Sequence, residues 1–187
     1  MQAEFFTNMI TVISGTNRKE SESLLFARQM VAFLQANTDE TVKLLPLESI
    51  PHDWFHPDMY EKDQQSPSLS GLQDDFVLSA SKFLFVVPEY NGSIPGALKL
   101  FLDACSIREY QSNFKGKKAA MVGVATGRAG NLRGIDHLTA ILHHMGTLIM
   151  PAYLPISRIG ALTEEGNILD QDTLKVMEQF AINFLAF

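Results

Sequence analysis

The sequence predicts an open α/β sandwich, with five parallel strands in the order 2-1-3-4-5 and helices covering both faces. Apolar, β-branched runs alternate with helix-period segments along the 187 residues. The runs are apolar at consecutive rather than alternate positions, as in parallel strands buried on both sides. Right-handed crossovers between such strands leave few topologies, and this order is the natural one for five.

Met9–Ser14 (MITVIS) is an apolar strand, and 21–35 a helix whose Leu24, Leu25, Ala27, Val31 and Leu34 form one stripe. Thr41–Pro46 is a second short strand. Lys82–Pro88 (KFLFVVP), preceded by a helical stretch over 68–81, carries the strongest strand signal. A helix over 95–106 opens with Pro95 in its first turn, where a missing N–H costs nothing. A fourth strand spans 118–125, a helix over 132–145 ends at Gly146, a fifth strand spans 148–153, and a last helix 170–184. No repeat, low-complexity run or linker interrupts them, so 1–187 reads as one domain, a flavodoxin-like three-layer sandwich. The one long irregular stretch, 47–67, is long enough to be an active-site or interface loop.

Composition narrows the function. Hydrophobic residues at 46% and charged residues at 19% describe a globular chain rather than a disordered one. A net charge of −6 argues against nucleic acid, whose phosphates need a positive surface. The single cysteine, Cys105, allows no internal disulfide and fits a reducing compartment. With no His or Asp partner evident near it, it reads as a buried thiol rather than a nucleophile. The first residues carry neither a basic n-region nor a small-residue cleavage site. The apolar runs fall far short of the ~20 residues a membrane helix needs. A soluble, cytoplasmic protein without a membrane partner is expected.

Ligands of such sheets bind outside the carboxyl ends of the strands, at the switch point, here between strands one and three. The loops after strands one, three and four therefore matter most. The first reads SGTNRKESES from Ser14 and runs straight into a helix. Hydroxyls at Ser14, Thr16, Ser21 and Ser23 and the guanidinium of Arg18 surround a helix N-terminus, whose free N–H groups and dipole favour a phosphate. A capped helix with a solvated Arg18 would account for one serine, but not for all four hydroxyls. The loop has neither G-x-x-x-x-G-K-[ST] nor G-x-G-x-x-G, which argues against an NTPase and against a dinucleotide held in the Rossmann manner.

The second loop reads PEYNGSIPGALK from Pro88. Its PEYN-x-S-x-P-G-x-L-K pattern resembles the signature of the NADPH-dependent FMN reductase family, which includes quinone, azo and chromate reductases. The first loop resembles that family's G-S-x-R-x-x-S-x-N phosphate site. The third, ATGRAGNLRG from Ala125, resembles its Gly-rich S-T-G-x-x-G-G segment. Order and spacing agree from about Met9 to Tyr153.

This resemblance implies FMN as cofactor and NAD(P)H as co-substrate. Thr16, Arg18, Ser21 and Ser23, with Ser14 beside them, would hold the FMN phosphate and ribityl chain. Pro88, Glu89, Tyr90 and Asn91 would border the isoalloxazine ring, largely through backbone groups, with Gly92 and Ser93 completing the loop. Asn91-Gly92 is a dipeptide that accepts positive φ. Thr126, Gly127 and Gly130 match the third segment, where glycines let the backbone approach a flat ligand. Tyr90 stands between two roles, against the flavin or at a subunit contact. Two positions depart from the pattern: Ser23 stands where the family usually has Asn, and Asn131 where it often has a second Gly.

The cofactor performs hydride transfer, so no acid–base dyad is expected and none is evident. The implied activity is a ping-pong cycle in which NAD(P)H reacts first and a quinone, azo dye, free flavin or similar small acceptor follows. Arg128 and Arg133 are candidates for holding a phosphate of the nicotinamide nucleotide. The resemblance suggests a homodimer or homotetramer. Trp54, Phe55 and Tyr60 could shield a flavin or meet a partner subunit. His137 and His144 share a helix face, but no third ligand and no HExxH arrangement support a metal. With His52, His56 and His143 they read as satisfied or interface residues. The rival readings are an FMN electron carrier without its own NAD(P)H oxidation, and a non-catalytic module that has kept the fold.

Overall fold

A computed structural model describes residues 8–187. Residues 1–7, on which part of the leader expectation rests, lie outside the described residues. Strands β1 (Met9–Ser14), β2 (Thr41–Pro46), β3 (Lys82–Pro88), β4 (Lys118–Val124) and β5 (Leu148–Ile149) form a parallel sheet in the order β2-β1-β3-β4-β5. A further parallel strand, β6 (Leu154–Ile156), also pairs with β4. The helices are α1 (Glu22–Asn37), α2 (Pro67–Leu72), α3 (Gly96–Ala104), α4 (Tyr110–Asn113), α5 (Leu132–His144) and α6 (Gln171–Ala186).

Successive side chains of a strand point to opposite faces, so each strand feeds two cores. Ile10, Val12, Leu84, Val86 and Val122 pack with Phe26, Met30 and Leu34 of α1 and with Met177, Phe180 and Phe184 of α6. Ile13, Phe83, Phe85, Val87 and Met121 pack with Leu98 and Phe101 of α3 and Leu138 and Leu142 of α5. That alternation makes the three-layer sandwich.

In α1, Leu24, Ala27 and Leu34 are buried as the stripe predicts, while Leu25 and Val31 are only half-buried. Phe26 and Met30 take the deepest places, each worth roughly 1.5–3 kcal/mol of burial.

Several boundaries differ from expectation, each for a physical reason. The stretch over 68–81 starts at Pro67, with the Ser66 hydroxyl accepting from Leu69 N, and widens after Leu72 into a π-helical turn over Gln73–Leu78. There the buried Lys117 ammonium donates to the carbonyls of Val77 (2.6 Å) and Leu78 (3.1 Å), satisfying the end of the turn. Pro95 sits at the N-cap of α3, extended at φ −60 and ψ 141, rather than inside the first turn. The expected fifth strand is broken. Ile149 pairs with Ala119 and Leu154 with Val122, so the outer chain takes five steps where β4 takes three. The extra residues loop out around Pro151, which has no N–H for a ladder.

The segment 47–66 is less irregular than expected, with 3₁₀ turns at Leu47–Ser49 and Pro57–Tyr60. Also unforeseen are α4 and a hairpin of β7 (Thr163–Glu164) and β8 (Asn167–Ile168), elements too short to carry a period. Cys105 is fully buried, as expected, and burial pushes its thiol pKa up. Among the described residues, no helix is long and apolar enough to cross a membrane.

Candidate functional site

The loops after β1, β3 and β4 leave neighbouring parallel strands at the carboxyl end of the sheet, and hydrogen bonds tie them together. Gly15 N donates to Val86 O at 2.9 Å, folding the first loop against β3. Thr16 is fully buried; its hydroxyl donates to the Tyr90 phenol oxygen at 3.0 Å and accepts from Arg18 N at 3.2 Å. Arg18 itself is exposed. Ser21 stands at the N-cap of α1, yet its hydroxyl pairs with that of Ser23 at 3.1 Å and makes no cap bond. The first-turn N–H groups are therefore not capped by a side chain. Ser14 ends β1 with 1% of its surface exposed.

The second loop contains a tight turn. Tyr90 and Ser93 exchange both backbone hydrogen bonds at 3.0 Å, while Asn91 takes φ 52 and Gly92 φ 73. Positive φ at both central residues defines a type I′ turn, for which Asn-Gly is the favoured pair. Pro88, Glu89, Tyr90, Gly92 and Ser93 are half-buried around it, and Asn91 is exposed. The Ser93 hydroxyl lies 2.7 Å from His137 Nδ1, linking the turn to α5. His137 is thus satisfied, at the rim of the site.

The third loop folds back over its own strand. A Cβ at Gly123 would overlap the Gly130 carbonyl oxygen, and one at Gly130 (φ 57) would come within 2.7 Å of Pro155. Gly130 therefore serves packing, whereas Gly127 faces open space, with Thr126 and Arg128 exposed beside it. Asn131 adopts φ 63, a conformation otherwise suited to glycine. Its Nδ2 donates to Val87 O at 3.0 Å and its Oδ1 accepts from Gly134 N at 3.2 Å, capping α5. The departure from Gly at this position keeps the backbone shape and adds a cap.

Among the aromatic residues of the long loop, Trp54 is 3% exposed and packs in the core of its own chain, so it offers no free face to a cofactor or a partner. Phe55 and Tyr60 are 69% and 53% exposed. A hollow of about 570 Å³ between α3 and α5, lined by Lys99, Tyr110 and His144 among others, lies apart from the loops. Among the described residues, no three His, Cys, Asp or Glu side chains converge as metal ligands would. The sequence reading missed Gly123, whose lack of a side chain lets the third loop close. It also missed Arg158, whose N–H donates to Gly127 O at 3.0 Å. Neither sits in a recognisable motif.

The pattern of the NADPH-dependent FMN reductase family matches residues 9–160. The chain belongs to that family. The reductase is 28% identical over 185 residues to a 2-hydroxy-1,4-benzoquinone reductase of Burkholderia sp., spanning 95% of this chain and 94% of the relative. It is 27% identical over 169 residues to an NAD(P)H-dependent FMN reductase of Pseudomonas aeruginosa, spanning 89% and 88%. Its fold is similar to that of FerB, a flavoenzyme NAD(P)H:(acceptor) oxidoreductase from Paracoccus denitrificans, with a TM-score of 0.76 at 24% identity over 96% of both chains. An FMN-dependent NADH-azoreductase of Bacillus anthracis, solved in complex with FMN, shares the fold at a TM-score of 0.64 and 17% identity, covering 94% of this chain and 98% of that one. As a family member the chain is an oxidoreductase that works with FMN and NAD(P)H. Its residues fit the cofactor: hydroxyls and Arg18 stand at an uncapped helix start, and Gly127 leaves backbone open to close approach.

Proposed function

We propose that the reductase binds FMN across these three loops and passes electrons from NAD(P)H to a quinone, azo compound, free flavin or similar small acceptor in a ping-pong cycle. The observation that carries this reading is the Thr16–Tyr90 hydrogen bond, which fixes the spacing between a phosphate-type loop and a ring-type loop. Thr16, Arg18, Ser21 and Ser23 hold the phosphate with the first-turn N–H groups of α1, and Ser14 supports them from the strand end. Pro88, Glu89, Tyr90, Asn91, Gly92 and Ser93 border the ring on one side, and Thr126, Gly127 and Gly130 shape the other. FMN, when bound, supplies the two-electron chemistry. The protein's part is to position and desolvate, so it needs no acid–base dyad of its own. One shared space serves donor and acceptor, which makes the first product leave before the acceptor enters. The quinone reductases among its relatives support a quinone as one acceptor.

The same reading makes the chain a cytoplasmic homodimer or homotetramer, with the exposed Phe55 and Tyr60 available to a second subunit. The test is the absorption spectrum of purified protein, followed by titration with FMN. Bound flavin and steady NADPH oxidation with a quinone are expected. Protein that neither carries nor binds FMN would overturn the reading, and flavin without NAD(P)H oxidation would mark an electron carrier.

A further inference from the structure

Three arginines lie on or beside the third loop, and among the described residues none of their side chains has a partner. Arg128 lies in the loop, Arg133 in the first turn of α5, and Arg158 just beyond β6; all are exposed. None of their side chains makes an ion pair or hydrogen bond among the described residues, whereas Arg108 is paired with Asp74 at 2.7 Å. The segment carrying Arg158 is clasped to the loop. Ala125 N donates to Ile156 O (2.9 Å), Arg158 N to Gly127 O (3.0 Å) and Ile159 N to Ala125 O (3.3 Å). Arg158 is therefore stitched beside the residue that precedes Arg128, and it is held at φ 53, where glycine or asparagine would sit more easily. An exposed guanidinium without an ion pair is open to an anion. A guanidinium is also the side chain best shaped to grip a phosphate in bidentate fashion.

We propose that Arg128 and Arg158 select NADPH over NADH by gripping the 2′-phosphate on its adenosine. This rests on the reductase reading above, which gives the FMN phosphate to the first loop. The third loop follows β4, and β3 separates β4 from β1, so its arginines stand apart from the first loop. The nucleotide donor brings a second set of phosphates. Arg133 lies inward, its Nη1 3.2 Å from where a Cβ on Gly92 would sit, and so falls to the donor's pyrophosphate. Arg158 follows β6, the strand beside β4, and its backbone adjoins the residue before Arg128; this pair falls to the adenosine end.

The test has a binding arm and a kinetic arm, both on FMN-loaded protein. By calorimetry, 2′,5′-ADP is expected to bind at least about tenfold tighter than 5′-AMP, and R128Q and R158Q to abolish that advantage. R158K should keep part of it. R158G relaxes the backbone while removing the guanidinium, and should behave like R158Q. In turnover, the ratio of kcat/KM for NADPH to that for NADH should fall about 10–100-fold in either glutamine variant. Equal losses with both nucleotides, an R158G variant that keeps its selectivity, or wild-type protein that binds 2′,5′-ADP no better than 5′-AMP would each overturn the proposal. Failure of the FMN-loaded protein to oxidise either nucleotide would count instead against the reductase reading, because the 2′,5′-ADP titration needs no turnover.

Discussion

The Thr16 hydroxyl donates to the Tyr90 phenol oxygen at 3.0 Å, joining residues 74 positions apart in sequence. Because Thr16 is fully buried, Y90F leaves its hydroxyl without that acceptor. T16V and Y90F should each cost about 1 kcal/mol of stability, and the double variant less than their sum. Urea denaturation of the four proteins measures the coupling. FMN affinity should fall in each variant, and strict additivity would mean that the two loops are not held together by this bond.

Arg18 is exposed beside the uncapped start of α1, and among the described residues its side chain has no partner. A charge-assisted contact to phosphate contributes about 1.5–3 kcal/mol, so R18Q should weaken FMN binding about 10–100-fold. Riboflavin, which has no phosphate, is the control and should bind both proteins alike. Equal weakening of the two ligands would remove Arg18 from the phosphate site.

Gly123 and Gly71 make a contrasting pair. A methyl group at Gly123 would overlap the Gly130 carbonyl, while one at Gly71 in α2 meets nothing within 4 Å. G123A should destabilise by roughly 1–3 kcal/mol and lower FMN affinity by displacing the third loop. G71A should stabilise by roughly 0.5–1 kcal/mol with FMN affinity intact. Thermal melts and flavin titrations of both variants check this, and an unperturbed G123A would refute the packing argument.

Asp170 caps α6 by accepting from Thr173 N at 2.7 Å. Hydrogen bonding from Thr173, side chain first and backbone second, holds its pKa below the ordinary carboxylate value. The native form thus sheds its proton at a lower pH than the unfolded chain does. The cap contributes fully above a pH of about 4 and loses its contribution as the pH falls through the native pKa. D170N keeps a capping side chain that does not titrate, so its stability should fall less steeply in acid than that of the wild type. D170A should be less stable at neutral pH as well. A D170N acid limb as steep as the wild type's would show that other groups govern acid unfolding.

Much of this fold was legible because burial on both faces leaves a plain mark. The strands Met9–Ser14 and Lys82–Pro88 have the expected limits and are buried along nearly their whole length, while Thr41–Pro46, the outermost strand on its side, has the expected limits with only Leu45 buried. The break at Pro151 was harder to read. An apolar run continues through it, and only the partner strand reveals that the outer chain has residues to spare. The turn at Asn91-Gly92 was readable from residue type, since positive φ is a local property. For Ser21 the residue type leaves a helix cap open beside a phosphate role, and only tertiary geometry shows that its hydroxyl makes no cap and turns to Ser23. Arg158 was invisible for the same reason, because nothing local predicts that it closes on Gly127.

The interrupted outer edge formed by β5 and β6 also limits backbone pairing between copies of the chain. An unbroken border of backbone donors and acceptors invites a second sheet to zip onto it, which is a route to aggregation. Here two paired residues, a looped segment holding Pro151, and three more residues with Pro155 at their centre replace that border. No long run of amides is left there for intermolecular β-pairing. Copies of the chain that associate on this side must do so through side chains.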